Sequence, residues 1–395
     1  MQTEISNVSK RVIAGWLGMI LAVSPRALAQ SYTILHDFAG GPADGRFPVA
    51  ALLEGSDGAL YGTAVAGGID QSGIVFTMNK DGTGYSVLRY FTGGNGDGKD
   101  PQGTLIEGTG GALYGTTLFG GTSDQGTVYT LNKDGTGHAI LVNFGSDATD
   151  GVAPYAGLVQ ASDGALYGTT LSGGQNRLGT LFTLNPDGTG YAVLKNFGEF
   201  GGDGVEPYGG VIEGSDGALY GTTYWGGLYG EGTVYMLNKD GTGYAVLLSF
   251  GGVPFDGTNP YGTVTEGSDG ALYGTTVTGE EVNGSVYKVN KDGTGYEILR
   301  RFTGFDGSTP HAAVVEGSDG ALYGTTVLGG PGGGIAYKVN KDGEGFLILH
   351  GFAAFAGDGL QPNSAIVFGG DGALYGTTVW GSSSGNGLAF RLSLD

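Results

Sequence analysis

The chain has 395 residues, 85 of them glycine, no cysteine, and a formal net charge of −20. Without cysteine neither a disulfide framework nor a lipid-modified cysteine anchor can form. Acidity on this scale excludes partners that need basic patches, nucleic acid and anionic lipid among them, and leaves neutral glycans, cations and proteins or peptides.

Residues 1–29 read as an export signal. Lys10 and Arg11 precede an apolar run from Val12 to Val23, and Ala27-Leu28-Ala29 supplies a small-x-small cleavage pattern before Gln30. The run is too short to span a bilayer, so a secreted, periplasmic or cell-envelope protein without membrane insertion is expected. Those 29 residues hold three bases against one acid, so the rest of the chain is near −22.

From residue 30 onward the chain is one unit copied seven times. Gly-Ala-Leu-Tyr-Gly-Thr recurs, in one copy as Gly-Ala-Leu-Tyr-Gly-Thr-Ala, with its tyrosine at Tyr61, Tyr114, Tyr167, Tyr220, Tyr273, Tyr323 and Tyr375, at spacings of 50 to 53 residues. A period near 50 marks a repeat architecture in which each unit buries its apolar faces against its neighbours. Within one copy, four alternating runs are separated by turn chemistry: Tyr208 to Glu213, Ala218 to Tyr224, Thr233 to Asn238 and Tyr244 to Phe250. Gly214-Ser215-Asp216-Gly217 joins the first pair and Lys239-Asp240-Gly241-Thr242-Gly243 the second, both strong hairpin signals. No stretch shows helical periodicity. The prediction is an all-β, seven-bladed β-propeller with four antiparallel strands per blade, expected to be a monomer. Its repeats lie near 47–93, 100–145, 153–199, 206–251, 259–303, 309–353 and 361–395.

The chain ends are complementary fragments of one repeat. The last copy stops after its third strand, at Phe390 to Leu394, while Tyr32 to Phe38 matches a fourth strand such as Tyr244 to Phe250. The N-terminal strand, residues 31–38, should therefore complete the last blade, with Tyr32, Ile34 and Phe38 alternating onto its buried face. Closure removes the two edges that an open stack would expose.

Copies differ mainly on one face. The Ser-Asp-Gly and Asn-Lys-Asp-Gly-Thr-Gly turns scarcely vary and emerge together in an up-and-down blade. The other connections vary in length and content, as in Gly67 to Ser72, Gly226 to Glu231, Gly93 to Asp100 and Gly251 to Asn259. Loops on a rigid scaffold carry function, so a site is expected there. The inter-blade loops share Asp-Gly-x-x-Pro, at Asp44, Asp97, Asp150, Asp203, Asp256, Asp306 and Asp358. These read as turn and strand-entry signals. Calcium, the one candidate cofactor, has a passable loop only at Asn95 to Asp100, and neither a cofactor nor a metal set is expected.

Catalytic signatures are not evident. His36 and His350 share a repeat position with Arg89, Lys195 and Arg300, where an outward polar residue is tolerated; His138 replaces an aromatic, and only His311 points to a site. The variable-face acids, Asp70, Asp124, Glu199, Glu206, Glu231, Glu280 and Glu281, do not single out the pair a glycosidase needs. Glu54, Glu107, Glu213, Glu266 and Glu316 end the first strands and form a partial ring, with Gln160 and Phe368 in the other two copies. They read as a solvated rim or, less simply, a cation ring.

The residue after each inter-blade proline begins the innermost strand and varies as Val49, Gln102, Tyr155, Tyr208, Tyr261, His311 and Asn363, followed by small residues. Tyr155, Tyr208, Tyr261 and His311 should gather at the channel mouth, either as an amphipathic arc for sugars or apolar side chains or as a plug. Trp225, Tyr229, Phe119 and Trp380 are available from outer loops.

The unit Asp-Gly-Ala-Leu-Tyr-Gly-Thr-Thr, then Gly-Gly, then Gly-Thr-Val-Tyr-x-Leu-Asn-Lys-Asp-Gly-Thr-Gly, resembles the GloVer tandem repeat of exported bacterial proteins over nearly all of residues 31–395, and more distantly kelch propellers. The resemblance implies an extracellular or envelope propeller and brings no activity with it. Two functions fit: a non-catalytic binding propeller, because the copies are too alike to show a differentiated catalytic site, or a secreted carbohydrate-active hydrolase or lyase acting on the same face. The export reading predicts that the secreted protein begins at or near Gln30; mass spectrometry that finds Met1 to Ala29 on it refutes that reading.

Overall fold

The structure is a computed structural model that describes residues 31–94, 96–253, 256–279, 283–353 and 357–394. It contains seven four-stranded antiparallel sheets and, among the described residues, no helix. In blade 4, the blade carrying Tyr220, the strands run Val211–Glu213, Leu219–Thr223, Thr233–Leu237 and Ala245–Ser249.

The repeat motif is a set of fittings. Leu219 is fully buried. The Tyr220 hydroxyl donates to Asp216 Oδ2 in its own turn (2.7 Å). Gly221 must be glycine, because a Cβ there would lie 2.5 Å from the Tyr235 hydroxyl of the third strand. Thr222 Oγ1 donates to the Gly262 carbonyl of the next blade (2.8 Å), and the Thr223 and Thr233 hydroxyls bond to each other at 2.8 Å. One short segment thus fixes its turn, its sheet and its neighbour.

The apolar core lies between blades. Tyr220, Val234 and Phe250 of blade 4 pack with Val264, Leu272, Tyr287 and Val289 of blade 5, and the other seams repeat the arrangement. Near the axis the small residues let backbones meet: a Cβ on Gly209 would lie 2.9 Å from the Gly262 carbonyl carbon, and Gly210 N donates to Thr263 Oγ1 (2.9 Å). Because residues 208–210 serve the neighbouring blades, the innermost strand is shorter than expected, in most blades two residues long, as at Leu53–Glu54.

Each of the seven inter-blade prolines packs against a glycine of the preceding blade; a Cβ on Gly232 (φ +100°) would lie 2.6 Å from Pro260 Cδ. The residue before each proline, Phe47, Asp100, Ala153, Glu206, Asn259, Thr309 and Gln361, is left-handed, with φ between 52° and 60°. For a non-glycine residue that conformation costs roughly 1–2 kcal/mol. It persists because the amide of each donates across the seam, as Glu206 N does to the Leu178 carbonyl (2.9 Å), while its carbonyl accepts from the end of its own second strand.

The first-strand glutamates are neither a solvated rim nor a cation ring; they are clamps. Glu266 accepts from Ser215 N and Oγ in the previous blade's turn (2.7 and 2.6 Å) and pairs with Lys291 at 2.6 Å. Burial works to raise its pKa, but the bonds from Lys291 and Ser215 outweigh this and lower it. Glu107, Glu213 and Glu316 do the same. Gln160 keeps part of the clamp by accepting from Thr109 N (2.8 Å), whereas Phe368 replaces it with an edge contact on the Tyr323 ring.

Ring closure follows the expectation in its pairing and departs from it in one side chain. Tyr32–Asp37 pairs antiparallel with Leu388–Leu392, Phe38 N donates to the Gly387 carbonyl (3.1 Å), and Gly370 N donates to Glu54 Oε2 (2.8 Å). Ile34 does not face the core, being 41% exposed, whereas Leu35 and Phe38 are buried. The register shifts between Ile34 and His36, and every fourth strand carries the same bulge, which resets the alternation. Deleting residues 31–38 removes Leu35, Phe38 and half-buried Tyr32 and bares the edge of Leu388–Leu392. At roughly 1.5–3 kcal/mol per large buried side chain, a large fall in melting temperature is expected; a truncated protein that melts with the mature form refutes closure.

Candidate functional site

The variable face holds features that period and pattern did not predict. Each inter-blade loop adds a two-residue ladder to the loop after the second strand: Gly45–Arg46 with Ala66–Gly67, Gly98–Lys99 with Phe119–Gly120, and Gly204–Val205 with Trp225–Gly226, with equivalents in blades 3, 5 and 7. In blade 6 the bridge Ser308↔Leu328 takes its place. Phe119, Trp225 and Trp380 therefore occupy one repeat position, 41–45% exposed. The signal was present in the sequence, since each stands directly before the glycine that turns the loop.

The inter-blade aspartates are inward junctions. Asp203 accepts from buried Lys195 of blade 3 (3.0 Å), from the Tyr244 hydroxyl of blade 4 (2.5 Å) and from the amides of Glu199 and Gly204. Asp150 accepts from the Tyr191 hydroxyl (2.5 Å) and Asp97 from Arg89 (2.8 Å). His36 and His350 are not merely tolerated outward residues. They fill the Lys195 position, with Nε2 3.2 Å from Asp44 and 3.5 Å from Asp358, stacked on Tyr85 and Tyr32. Burial opposes ionisation of Asp44, but bonds from His36, Ala39 N and Tyr85 prevail and lower its pKa. His138 sits in the aromatic position it replaces, near Phe91 and Tyr129. Of the loop read as a passable calcium site, Asn95 lies outside the described residues, and Asp97 is engaged by Arg89, Thr92 and Gly98.

At the channel mouth Tyr155, Tyr208, Tyr261 and His311 come together. Tyr208 stacks on Tyr261 with centroids 4.7 Å apart, and Tyr261 on His311 at 4.6 Å. Tyr155 meets both tyrosines edge-on at 5.4 and 5.7 Å, and its hydroxyl accepts from that of Tyr261 (2.5 Å). Tyr224, not singled out from the sequence, extends the cluster, with its ring 5.1 Å from Tyr208 and 5.0 Å from Trp225. Burial raises the pKa of Tyr155, Tyr208, Tyr224 and Tyr261, so all four phenols are neutral donors. His311 Nδ1 is 2.7 Å from Asn363 Oδ1. Burial lowers the pKa of His311 against that bond, which favours the charged form.

The other named aromatics do not join this cluster. Trp380 leans on Phe47 at 4.4 Å, across the seam between the last blade and the first, and Phe119 stands in blade 2. Tyr229, 56% exposed, lies over Gly252 on the blade 4 rim. The named acids are also dispersed. Asp124 caps its own loop through Gly120 N, Glu199 pairs with Lys195, and Glu280 and Glu281 lie outside the described residues. A groove of about 390 Å³ opens between blades 4 and 5, lined by Glu231, Gly251, Val253, Asp256, Thr258, Asn259, Thr278 and Gly279.

The model of the Gloeobacter/Verrucomicrobia repeat matches residues 15–207, 106–315 and 277–395. The chain belongs to this repeat family. No curated protein is a recognisable relative of it. Among solved structures it is similar to oligogalacturonate lyase from Vibrio parahaemolyticus (TM-score 0.57, 12% identity, 92% of this chain and 93% of that one). It is also similar to the extracellular domain of a protein described as a one-component system from B. thetaiotaomicron (TM-score 0.58, 13% identity), covering 89% of this chain and 39% of that one. At these identities the likeness extends to the propeller fold alone.

His311 provides a direct check of the mouth's polarity. Its depressed folded-state pKa means that the unfolded chain binds the proton more tightly, so this contribution to stability is present above about pH 6.5 and is lost as pH falls toward the folded value. A histidine NMR titration should place the His311 midpoint below that of a free histidine; a midpoint at or above it contradicts the buried, neutral geometry.

Proposed function

We propose that this protein is an exported, non-catalytic binding propeller that takes its ligand on the variable face at the channel mouth. The observation behind this reading is the convergence of Tyr155, Tyr208, Tyr261 and His311 from four consecutive blades into one stacked cluster, extended by Tyr224 and Trp225. Aromatic faces with neutral hydroxyl donors suit the apolar faces and hydroxyls of neutral sugars or the side chains of a peptide. The strong negative charge disfavours polyanions.

Export is supported by the N-terminal pattern, and no helix among the described residues is long and apolar enough to cross a membrane. The alternative, a secreted carbohydrate-active hydrolase or lyase on the same face, needs acids or a metal set at one point. The acids singled out from the sequence are instead spread over several loops; where two carboxylates share a groove, at Glu231 and Asp256, Asp256 is already held by the Tyr296 hydroxyl and Gly251 N.

The test is a panel of neutral oligosaccharides and peptides applied to the mature protein, with turnover followed on every hit. Replacing Tyr208 and Tyr261 together by alanine should abolish binding at the mouth, with a loss of stability confined to the cluster, roughly 1–3 kcal/mol. Undiminished binding by the double variant, or turnover of a bound glycan, overturns the proposal.

A further inference from the structure

The exposed large apolar side chains of the variable face include Phe305 (91%) at the blade 5–6 seam and Ile69 (67%) in blade 1, which stand apart, and one group that does not. Leu228 (75% exposed), Tyr229 (56%), Phe200 (54%) and Val253 (53%) all lie on blade 4 or on the loops at its two seams. Leu228 leans toward the blade 3–4 loop, 3.2 Å from where a Gly202 Cβ would stand, and Tyr229 covers Gly251 and Gly252 of the blade 4–5 loop. They form a ridge across one blade on the same face as the tyrosine cluster. A rimmed apolar ridge on a soluble protein marks an interaction surface.

The ridge ends at the groove between blades 4 and 5, which holds Glu231, Asp256, Asn259, Thr258 and Thr278 beside Val253. Its two carboxylates are not equivalent. Asp256 is 4% exposed and already accepts from the Tyr296 hydroxyl and Gly251 N. Among the described residues Glu231 makes no ion pair and no side-chain hydrogen bond, in contrast to Glu107, Glu213, Glu266 and Glu316, each paired with a lysine. An unmatched carboxylate beside Val253, in a groove whose Gly251 wall is covered by Tyr229, complements a side chain with an apolar stem and a cationic tip.

We propose that the blade 4–5 seam is a docking site for a polypeptide. A lysine or arginine of the partner enters the groove to meet Glu231, its stem running along Val253 and Tyr229, and an adjacent apolar residue packs on Leu228 and Phe200. Aliphatic knobs such as Leu228 and Val253 offer little to a sugar, whose apolar faces stack on flat rings, so the occupant is protein. Tyr229 makes no ring contact with Tyr155, Tyr208, Tyr261 or His311 among the described residues, so the site lies beside the mouth cluster rather than within it, joined to it through Asn259, whose Nδ2 donates to the Tyr224 carbonyl (3.1 Å).

The experiment titrates the mature protein with a synthetic peptide that alternates leucine and lysine, and with its leucine–glutamate counterpart. The lysine peptide should bind, more weakly as salt rises, and the glutamate peptide should not. Glu231→Gln should weaken the lysine peptide on the order of tenfold, and Leu228→Ser with Tyr229→Ser should weaken it at least as much. Both sets of side chains are solvent-facing, so the melting temperature should hold; if the double variant melts early, Glu231→Gln alone decides. Asp134→Asn, an exposed acid on the invariant face, controls for general attraction to an acidic protein and should leave affinity unchanged. Tyr208→Ala should also leave it unchanged, which separates this site from the channel mouth. Equal binding of the two peptides, wild-type affinity in Glu231→Gln, or equal losses in Glu231→Gln and Asp134→Asn overturns the proposal.

Discussion

No blade of this protein can bury its own faces; each is a thin sheet whose apolar side chains find cover only on the next blade. The seam between blades is consequently the unit of stability, and nearly every invariant residue of the repeat serves it. Tyr220 and its equivalents fill it, the glutamate–serine–lysine clamp ties one rim, and the aspartate junction ties the other. The proline–glycine contact sets the approach of one blade to the next at the cost of a left-handed residue in every copy. Seven such strained positions persist because each is bonded on both sides of a seam.

The same constraint explains why the two faces differ. On the invariant face both turns take part in the clamp: Ser215 donates to Glu266 and Lys291 reaches back to Ser215. A change there is felt by two blades. On the variable face the aspartate junction and the ladder glycines are fixed, but the residues between them touch solvent. Tyrosines could accumulate at the channel mouth of blades 3 to 5, and an apolar ridge on blade 4, without disturbing a seam.

That freedom also explains why the fold says little about ligand. Propellers of the same shape at 12–13% identity include a protein named as a lyase and an extracellular domain. Function lives in sites grafted onto a fold, and here the candidate sites are the stacked mouth residues and the unmatched Glu231 with its apolar neighbours, neither of which belongs to the repeat consensus.

The sequence alone determined the architecture, because repetition is itself structural information. Seven copies of Gly-Ala-Leu-Tyr-Gly, two constant turns and two complementary chain ends admit one closed arrangement, and small residues at one position required crowding at an axis. It also located Tyr155, Tyr208, Tyr261 and His311 at that axis, since each stands at the same point of consecutive copies. Tertiary structure decided what lies across the seams. The bulge in each fourth strand, which turned Ile34 out and Leu35 in, follows from twist and sheet contact rather than from residue type. The bond from Tyr85 to Asp44, the glutamate clamps and the meeting of the Tyr155 and Tyr261 hydroxyls join residues of different blades at separations that no local period encodes. Pattern reports which residues share a face. Only the closing of the ring brings the faces of different blades into contact.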